Sequence, residues 1–181
     1  MTATRLLLSI AICLAALSGV AYAQAQRATG LENLSTQTTQ QLMAGIEKKH
    51  PAAYYALAKR LFEQGERDEA VFWFYAGQIR YRAYLIGNPK LPPDGDPALF
   101  ASLSEVVGRP LNVYAFGDIA SLTKTLDRVL VWDGSHPDVF NKAPEREQAR
   151  NGLTVMKAKM LDTADEIRAT RLKNGLENRT K

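Results

Sequence analysis

The stretch Val71–Arg82, VFWFYAGQIRYR, places four aromatic residues in succession and a fifth at Tyr81. Successive residues of a helix are turned by about 100°, so these large side chains cannot share one narrow face. The pattern therefore predicts a central helix with neighbours on several sides, whose aromatic rings form the core. Gln78, Arg80 and Arg82 are expected to reach solvent at the edge of that core. A nucleic-acid stacking surface would instead need the rings exposed together on one side.

The residues around this stretch predict a pair of antiparallel helices. The first runs from Pro51 to about Gln64, and Gly65 is suited to the left-handed conformation that ends a helix. The second begins near Asp68 and continues to about Ile86. Apolar and small residues recur at three- and four-residue steps on both segments, namely Tyr54, Leu57, Ala58, Leu61, Ala70, Phe74 and Gly77.

This pattern resembles the helical hairpin of tetratricopeptide-type and Sel1-like repeats over about residues 51–84. In such a hairpin Ala and Phe recur in the second helix, as Ala70 and Phe74 do here. The resemblance implies that small residues let the two helices approach closely while large ones fill the groove beside them. Arg82 stands where these repeats usually have a proline, and no second good copy follows. We therefore expect flanking helices to cover the hairpin.

The remaining sequence predicts more helices and little strand, so the expected class is all-α, with a single compact domain over residues 35–172. Four further helices are expected. One is capped by Ser35 or Thr36, a second spans about residues 98–107, a third follows an N-cap at Asp118, and the last begins near Pro144. The segment Leu111–Asp118, LNVYAFGD, is compatible with either a short helix or an extended crossing.

Residues 1–23 are typical of a secretory signal peptide. Arg5 precedes an apolar run, and the small residues that signal peptidase requires allow cleavage after either Ala23 or Ala25. A transmembrane anchor is the alternative, but the run is short for a span of about 20 residues. Cys13, the one cysteine of the chain, lies inside the run. The mature protein is therefore expected to be cysteine-free and periplasmic.

Charge and composition restrict the partners of the mature chain. The formal net charge is +4, and removal of the signal peptide lowers it by one because Arg5 leaves and no acid does. This mild charge does not indicate a nucleic-acid partner. No other apolar segment approaches the length of a membrane span, so no membrane anchor is expected in the mature form. Residues 24–34 are expected to be flexible, and residues 173–181 are expected to fray.

The sequence contains no recognisable catalytic or metal-binding pattern. His50 and His136 each precede a proline in a predicted turn and have no second ligand at helical spacing, so we expect both to be solvated. Asp133, Ser135 and His136 include the residue types of a hydrolase, but consecutive side chains splay apart rather than converge. No cofactor and no metal ion are expected.

The predicted partner-binding site lies where the hairpin ends. The loop from Pro89 to Pro97, PKLPPDGDP, is rich in proline and is expected to turn rather than to hold calcium. Tyrosine and arginine are favoured as interface anchors, and a stiff loop loses little entropy on binding. The candidate residues are Arg80, Arg82, Tyr84, Asp94 and Asp96, although solvation of a helix end would explain the arginines equally well.

Two functions of different classes fit these features. The first is an exported, non-catalytic protein-binding module, and its general type resembles the immunity proteins that neutralise secreted effector toxins. The second is a periplasmic enzyme acting on cell-envelope material. Its candidate acids are Glu66, Asp68, Asp94, Asp96 and Asp133, and a cleft lined by two of them would favour it.

Overall fold

The computed structural model describes residues 33–179, and in this range the chain forms α-helices and no strand. The predicted all-α class is confirmed. The helices are α1 (Thr39–Met43), α2 (Ala52–Glu63), α3 (Arg67–Gly87), α4 (Asp96–Val106), α5 (Gly108–Ala115), α6 (Ile119–Ser135), α7 (Ala143–Asp162) and α8 (Ala164–Lys173), with a short 3-10 helix at Ile46–Lys48.

Helix α3 is the centre of the molecule. Every residue from Ala70 to Tyr81 is buried, which confirms that the aromatic stretch forms the core. Helices α2, α5, α6 and α7 pack around it, and α4 contacts it more sparsely. Because α3 is covered on several sides, aromatic residues at successive positions are all removed from water.

Helices α2 and α3 form the predicted antiparallel hairpin. Gly65 lies between them with φ at +88°, a conformation that favours glycine, and so ends α2 as expected. Gly77 faces α2 so closely that a Cβ atom added there would lie 2.6 Å from the Cβ of Tyr54. Several helices packed together in this manner are compatible with a helical-repeat-like fold.

Two N-terminal details differ from the prediction. The first helix is capped by Thr38, whose side chain accepts a hydrogen bond from the Gln41 N–H group, and not by Ser35 or Thr36. The sequence also predicts that this helix continues to about Lys48, whereas it ends at Met43, because Gly45 adopts a φ of +61° and separates it from the short 3-10 helix. Residues 1–32, which include the predicted signal peptide and most of the predicted flexible segment, lie outside the described residues, as do residues 180 and 181.

The segment with an ambiguous prediction is mostly helical, and the helix predicted to begin near Pro144 is interrupted. The ambiguous segment Leu111–Asp118 contributes most of α5, and Asp118 caps α6 as predicted by accepting a hydrogen bond from the Ser121 N–H group at 2.9 Å. The last helix is divided at Thr163, whose hydroxyl donates to the carbonyl of Lys159 at 2.9 Å. That side-chain bond competes with the regular helical ladder.

Part of the segment that is expected to fray, up to Arg179, forms hydrogen bonds with the rest of the protein. Arg171 is buried, and its Nη1 donates to the carbonyl of Val113 on α5 at 2.9 Å. The N–H group of Arg179 donates to the carbonyl of Gly117 at 2.7 Å. The tail is therefore fastened to the corner between α5 and α6. Between residues 33 and 179, no helix is both long enough and apolar enough to cross a membrane.

The close contact at Gly77 makes a testable prediction about the hairpin. We expect Gly77→Ala to destabilise the protein by roughly 1–3 kcal/mol, because the new methyl group would overlap Tyr54 and Tyr55. Gly152 on α7 is exposed and has nothing within 4 Å of its Cβ position, so Gly152→Ala should stabilise by about 0.5–1 kcal/mol. Urea unfolding followed by circular dichroism measures both, and equal effects of the two substitutions would contradict close packing at Gly77.

Candidate functional site

Arg80 forms the centre of a buried ionic cluster on one side of α3. Its Nε atom lies 2.5 Å from Oδ1 of Asp133, a close ionic contact without hydrogen-bond alignment, and its Nη1 lies 3.1 Å from Oδ2 of Asp138. The three side chains are 3%, 2% and 2% exposed. Charges removed from water to this extent remain stable only when they are paired, so the cluster fixes the relative positions of α3, α6 and the loop after α6.

Two arginines of α7 extend this cluster towards the surface. Arg150 Nη1 lies 3.1 Å from Oδ2 of Asp133, and Arg146 Nη2 donates to the backbone carbonyl of the same aspartate. Arg80 also donates to the carbonyls of Pro137 and His136, at 2.9 and 3.2 Å. Three arginines therefore hold Asp133 near the end of α6, and two of them, Arg80 and Arg146, also bond to carbonyl groups of the loop that follows.

This arrangement corrects the prediction that Arg80 and Gln78 reach solvent. Both side chains are buried, and Gln78 Nε2 donates to the Ser104 hydroxyl on α4 at 3.0 Å. Arg80 therefore cannot be a surface anchor for a partner. The physical reason is that Asp133 and Asp138, which neutralise it, are brought to α3 from more than fifty residues further along the chain.

A second polar cluster lies at His50, Asp96 and Tyr81. The His50 Nε2 atom is 3.1 Å from Oδ1 of Asp96, and the Tyr81 hydroxyl donates to the same oxygen at 2.5 Å. The Ala52 N–H group donates to His50 Nδ1 at 3.3 Å, so that nitrogen carries no proton and the neutral ring has its proton on Nε2. Burial lowers the pKa of His50 from its ordinary 6.5, and Asp96 offsets part of that shift.

The two histidines thus differ, and one prediction was wrong. His50 is buried, with its ring packed edge-on against Tyr81 and Tyr84, whereas it was expected to be solvated. His136 is exposed, as predicted, and its ring stacks on Trp132 at 4.7 Å between centroids. Burial and the nearby Asp96 raise the pKa of Tyr81, so its hydroxyl stays protonated and serves as a donor.

The fold leaves some of the other predicted partner-binding residues at the surface and turns one of them inward. Arg82 is exposed and places its guanidinium group 5.3 Å from the centre of the Phe100 ring on α4. Tyr84 is half-buried and Asp94 is exposed, whereas Asp96 turns inward to its contacts with His50 and Tyr81. Arg82, Tyr84 and Asp94 therefore remain available at the surface near α4, and Asp96 is occupied in the core.

The candidate acids of the enzyme hypothesis are also divided. Asp133 and Asp96 are engaged inside the protein, but Glu66 and Asp68 line one cleft of about 430 Å³ together with Tyr114. The Tyr114 hydroxyl donates to Asp68 Oδ1 at 2.9 Å. Both acids are exposed and belong to the same turn at the start of α3. They do not face each other across a substrate-sized gap between two elements.

A groove of about 500 Å³ separates α2 from α4. Its walls are mainly apolar, and the charged residues Lys59, Arg60 and Glu63 stand on the α2 side. The apolar lining consists of Leu34, Ala52, Tyr55, Ala56, Leu99, Leu103 and Val107. Ala52 and Ala56 on α2 are four residues apart, as are Leu99 and Leu103 on α4, so each pair lies on one face of its helix.

The sequence does not predict this groove. On α4, Leu99 and Leu103 give no sign of lining a groove, because leucines are equally common in a core. For α2, the small residues Ala52 and Ala56 are needed for close packing in any helical hairpin. No group of three or more histidine, aspartate or glutamate side chains in the described part of the chain is arranged to bind a metal ion.

Comparison with known proteins found a relative in sequence but no matching family or structure. No protein-family model matches the chain, and no solved structure matches it. A protein of Haemophilus influenzae described as uncharacterized is 34% identical over 89 residues, which cover 48% of this chain and 34% of the relative. The matched part of this chain thus spans about a third of the length of that relative, and the similarity indicates no activity.

The ionic cluster predicts a large effect of removing one carboxylate. We expect Asp133→Ala to destabilise the protein by roughly 3–5 kcal/mol, because Arg80 would lose its nearest counter-charge without regaining water. The matched control is Asp127→Ala on the same helix, whose side chain is 57% exposed and pairs with Lys157. That substitution should change stability by less than about 1 kcal/mol. Denaturant unfolding would contradict the cluster if both variants lost the same stability.

The buried His50 predicts a pH dependence of stability. The folded pKa is lowered, so below pH 6.5 the unfolded state takes up a proton that the folded state resists. Stability should therefore be complete above pH 6.5 and fall as the pH drops from 6.5 towards the lowered value. His50→Gln should flatten this part of the melting-temperature profile between pH 7.5 and 5.5, whereas His136→Gln should retain it. An unchanged slope in His50→Gln would show that another group is responsible.

Proposed function

We propose that this protein is an exported, non-catalytic protein-binding module whose groove between α2 and α4 holds an amphipathic helix of another protein. The groove itself carries this proposal, because apolar walls with charged residues beside them match the helix-in-groove mode of recognition. A partner helix would place apolar residues at three- and four-residue spacing against Leu99, Leu103 and the alanines of α2, and polar residues outwards.

The surroundings of the groove support a protein partner rather than a small substrate. The strongest polar groups nearby are engaged internally: Asp96 contacts His50 and Tyr81, and Gln78 bonds to Ser104. Arg82, a residue type favoured at interfaces, is exposed beside α4, and Lys59, Arg60 and Glu63 border the groove on the α2 side. Shape and apolar area are therefore the main means of recognition inside the groove, with charged groups at its edge.

Within this class, the partner we propose is a secreted effector toxin that the protein neutralises as an immunity protein. The proposal is supported by the signal-peptide pattern and by the absence of cysteine after residue 23, both of which suit a periplasmic location. The spacing of small and aromatic residues supports assignment of the α2–α3 hairpin to the tetratricopeptide and Sel1-like type. Repeats of this type commonly present grooves to partners.

One observation favours the second candidate, a periplasmic enzyme acting on envelope material. Glu66 and Asp68 share a cleft, and hydrolysis of glycosidic bonds commonly uses two carboxyl groups. However, a general acid needs burial to keep its proton near neutral pH, and both side chains are exposed. Their position on one turn also leaves no opposing group across the cleft. The geometry therefore supports the binding module better.

The binding proposal predicts that a charge placed in the groove abolishes partner binding. The mature protein serves as bait in an envelope extract, and each protein recovered is titrated by calorimetry against wild type and Ala56→Glu. We expect Ala56→Glu to weaken binding at least tenfold, which is about 1.4 kcal/mol. Ala158→Glu, on the exposed face of α7, is the matched control and should bind as wild type.

Several outcomes would count against this proposal. Equal affinity of wild type and Ala56→Glu would place the site outside the groove. As a folding control, circular dichroism should show the same melting curve for Ala56→Glu as for wild type, because Ala56 is only half-buried. Release of fragments from envelope material that is lost in Glu66→Gln and Asp68→Asn would favour the enzyme instead.

A further inference from the structure

We propose that α4 is a lid over the groove, which moves away from the α2–α3 hairpin as a unit and so admits the partner helix. The lid motion stands on the packing of α4 alone, whereas its role in admitting a partner rests on the proposed function.

Helix α4 is only partly buried along its whole length. It contains no buried residue, whereas every other α-helix between residues 33 and 179 has at least one. Leu99, Phe100 and Leu103 are half-buried against the core. The free energy that opposes local opening is set mainly by buried apolar area, so α4 belongs to the low-stability part of the fold.

Helix α4 is attached to the core by three half-buried apolar side chains and by a few polar contacts, and the Phe100 ring lies 5.2 Å from that of Tyr81 between centroids. Near its first turn, Asp96 accepts the Tyr81 hydroxyl at 2.5 Å and contacts His50 at 3.1 Å. Near its last turn, Ser104 accepts the Gln78 side-chain amide at 3.0 Å. Such bonds have a modest net value when water can replace the partner, and an opened α4 would expose both sites to water.

The segments on either side of α4 differ in how they are held. Residues 89–94 before α4 are mostly exposed and contain three prolines. After α4, Gly108 lies directly against Phe74, since an added Cβ would be 2.6 Å from the ring. Leu111 and Ala115 continue this buried contact along α5. The motion is therefore expected to bend at Val107–Gly108, with α5 remaining in place.

Open space lies on both flanks of α4. On one side is the groove of about 500 Å³ shared with α2. On the other side, Ser104 and Glu105 border a wider depression of about 680 Å³ that also reaches α5, α7 and α8. Open space therefore borders α4 on both flanks, and its aromatic contacts lie beneath it, where Phe100 meets Tyr55 and Tyr81.

Hydrogen exchange measured by mass spectrometry on the free mature protein tests the lid. We expect the backbone amides of residues 100–106 to exchange at least 100-fold faster than those of residues 71–81 in α3, because they exchange through local opening. Equal protection of the two segments would show that α4 opens only with global unfolding, and would overturn the proposal.

A matched pair of substitutions on α3 tests the attachment. Tyr81→Phe removes the hydroxyl that bonds to Asp96 on α4, and Tyr75→Phe removes the hydroxyl that bonds to Asn112 on α5 at 2.9 Å. Neither changes the sequence of α4, so its intrinsic exchange rates are unaffected. Tyr81→Phe should speed exchange in α4 about fivefold relative to α3, a factor typical of one net hydrogen bond. Tyr75→Phe should not.

Two results would overturn this assignment. One is an equal increase in α3 and α4 in Tyr81→Phe, which would indicate global destabilisation. The other is an increase in α4 in Tyr75→Phe as large as that in Tyr81→Phe, which would show that the Asp96 contact is not specific to α4.

The role of the lid in binding is tested separately with a protein recovered by the pull-down. If the open state is the one that binds, Tyr81→Phe should raise the association rate by the same factor as the exchange rate. Faster exchange with an unchanged association rate would retain the motion and remove its role in binding. Because hydrogen exchange needs no partner, failure of the lid and failure of the protein-binding proposal are distinguishable.

Discussion

The structure depends on the requirement that polar groups on a fully buried helix find partners inside the protein. Helix α3 is enclosed from Ala70 to Tyr81, so no water is available to its polar side chains. Four of them pair with residues of three neighbouring helices. The pairs are Tyr75 with Asn112 of α5, Gln78 with Ser104 of α4, Arg80 with Asp133 of α6, and Tyr81 with Asp96 of α4. Hydrophobic burial has no direction, and these bonds supply the positions at which the surrounding helices pack.

The bonds are unequal in strength, and this divides the molecule into two sides. On the α6–α7 side, Arg80 meets two buried carboxylates, and both arginines of α7 add charge-assisted contacts to Asp133. On the α4 side, the bond from Gln78 to Ser104 is neutral, and one carboxylate, that of Asp96, accepts a bond from the Tyr81 hydroxyl. Hydrogen bonds with an ionised donor or acceptor are roughly twice as strong as neutral ones, and the α6–α7 side has more contacts of this kind. The first side is therefore rigid, and the second is held mainly by three half-buried apolar residues of α4.

Local patterns in the sequence were sufficient to predict the helices but not the clusters. The left-handed Gly65, the N-cap at Asp118 and the buried aromatic stretch follow from short-range spacing, and all three are found in the structure. The burial of Arg80 and His50 was missed because their carboxylate partners are distant in sequence and become neighbours only after folding. A charged residue within an apolar helix is itself a sign of such a partner, since it must be neutralised if buried. That argument would have questioned the surface placement of Arg80.

The same division accounts for where binding is expected. A groove beside rigid, charge-linked helices could not widen without breaking buried ion pairs, each costly to separate. The groove beside α4 is bounded on one side by the α2–α3 hairpin, whose close contact at Gly77 fixes one wall. Its other wall is α4, a helix without a fully buried residue, so a partner could displace this wall at a small cost in stability. Segregating the strong polar contacts on one side of α3 thus leaves the opposite side free to adapt, while the core that positions it stays intact.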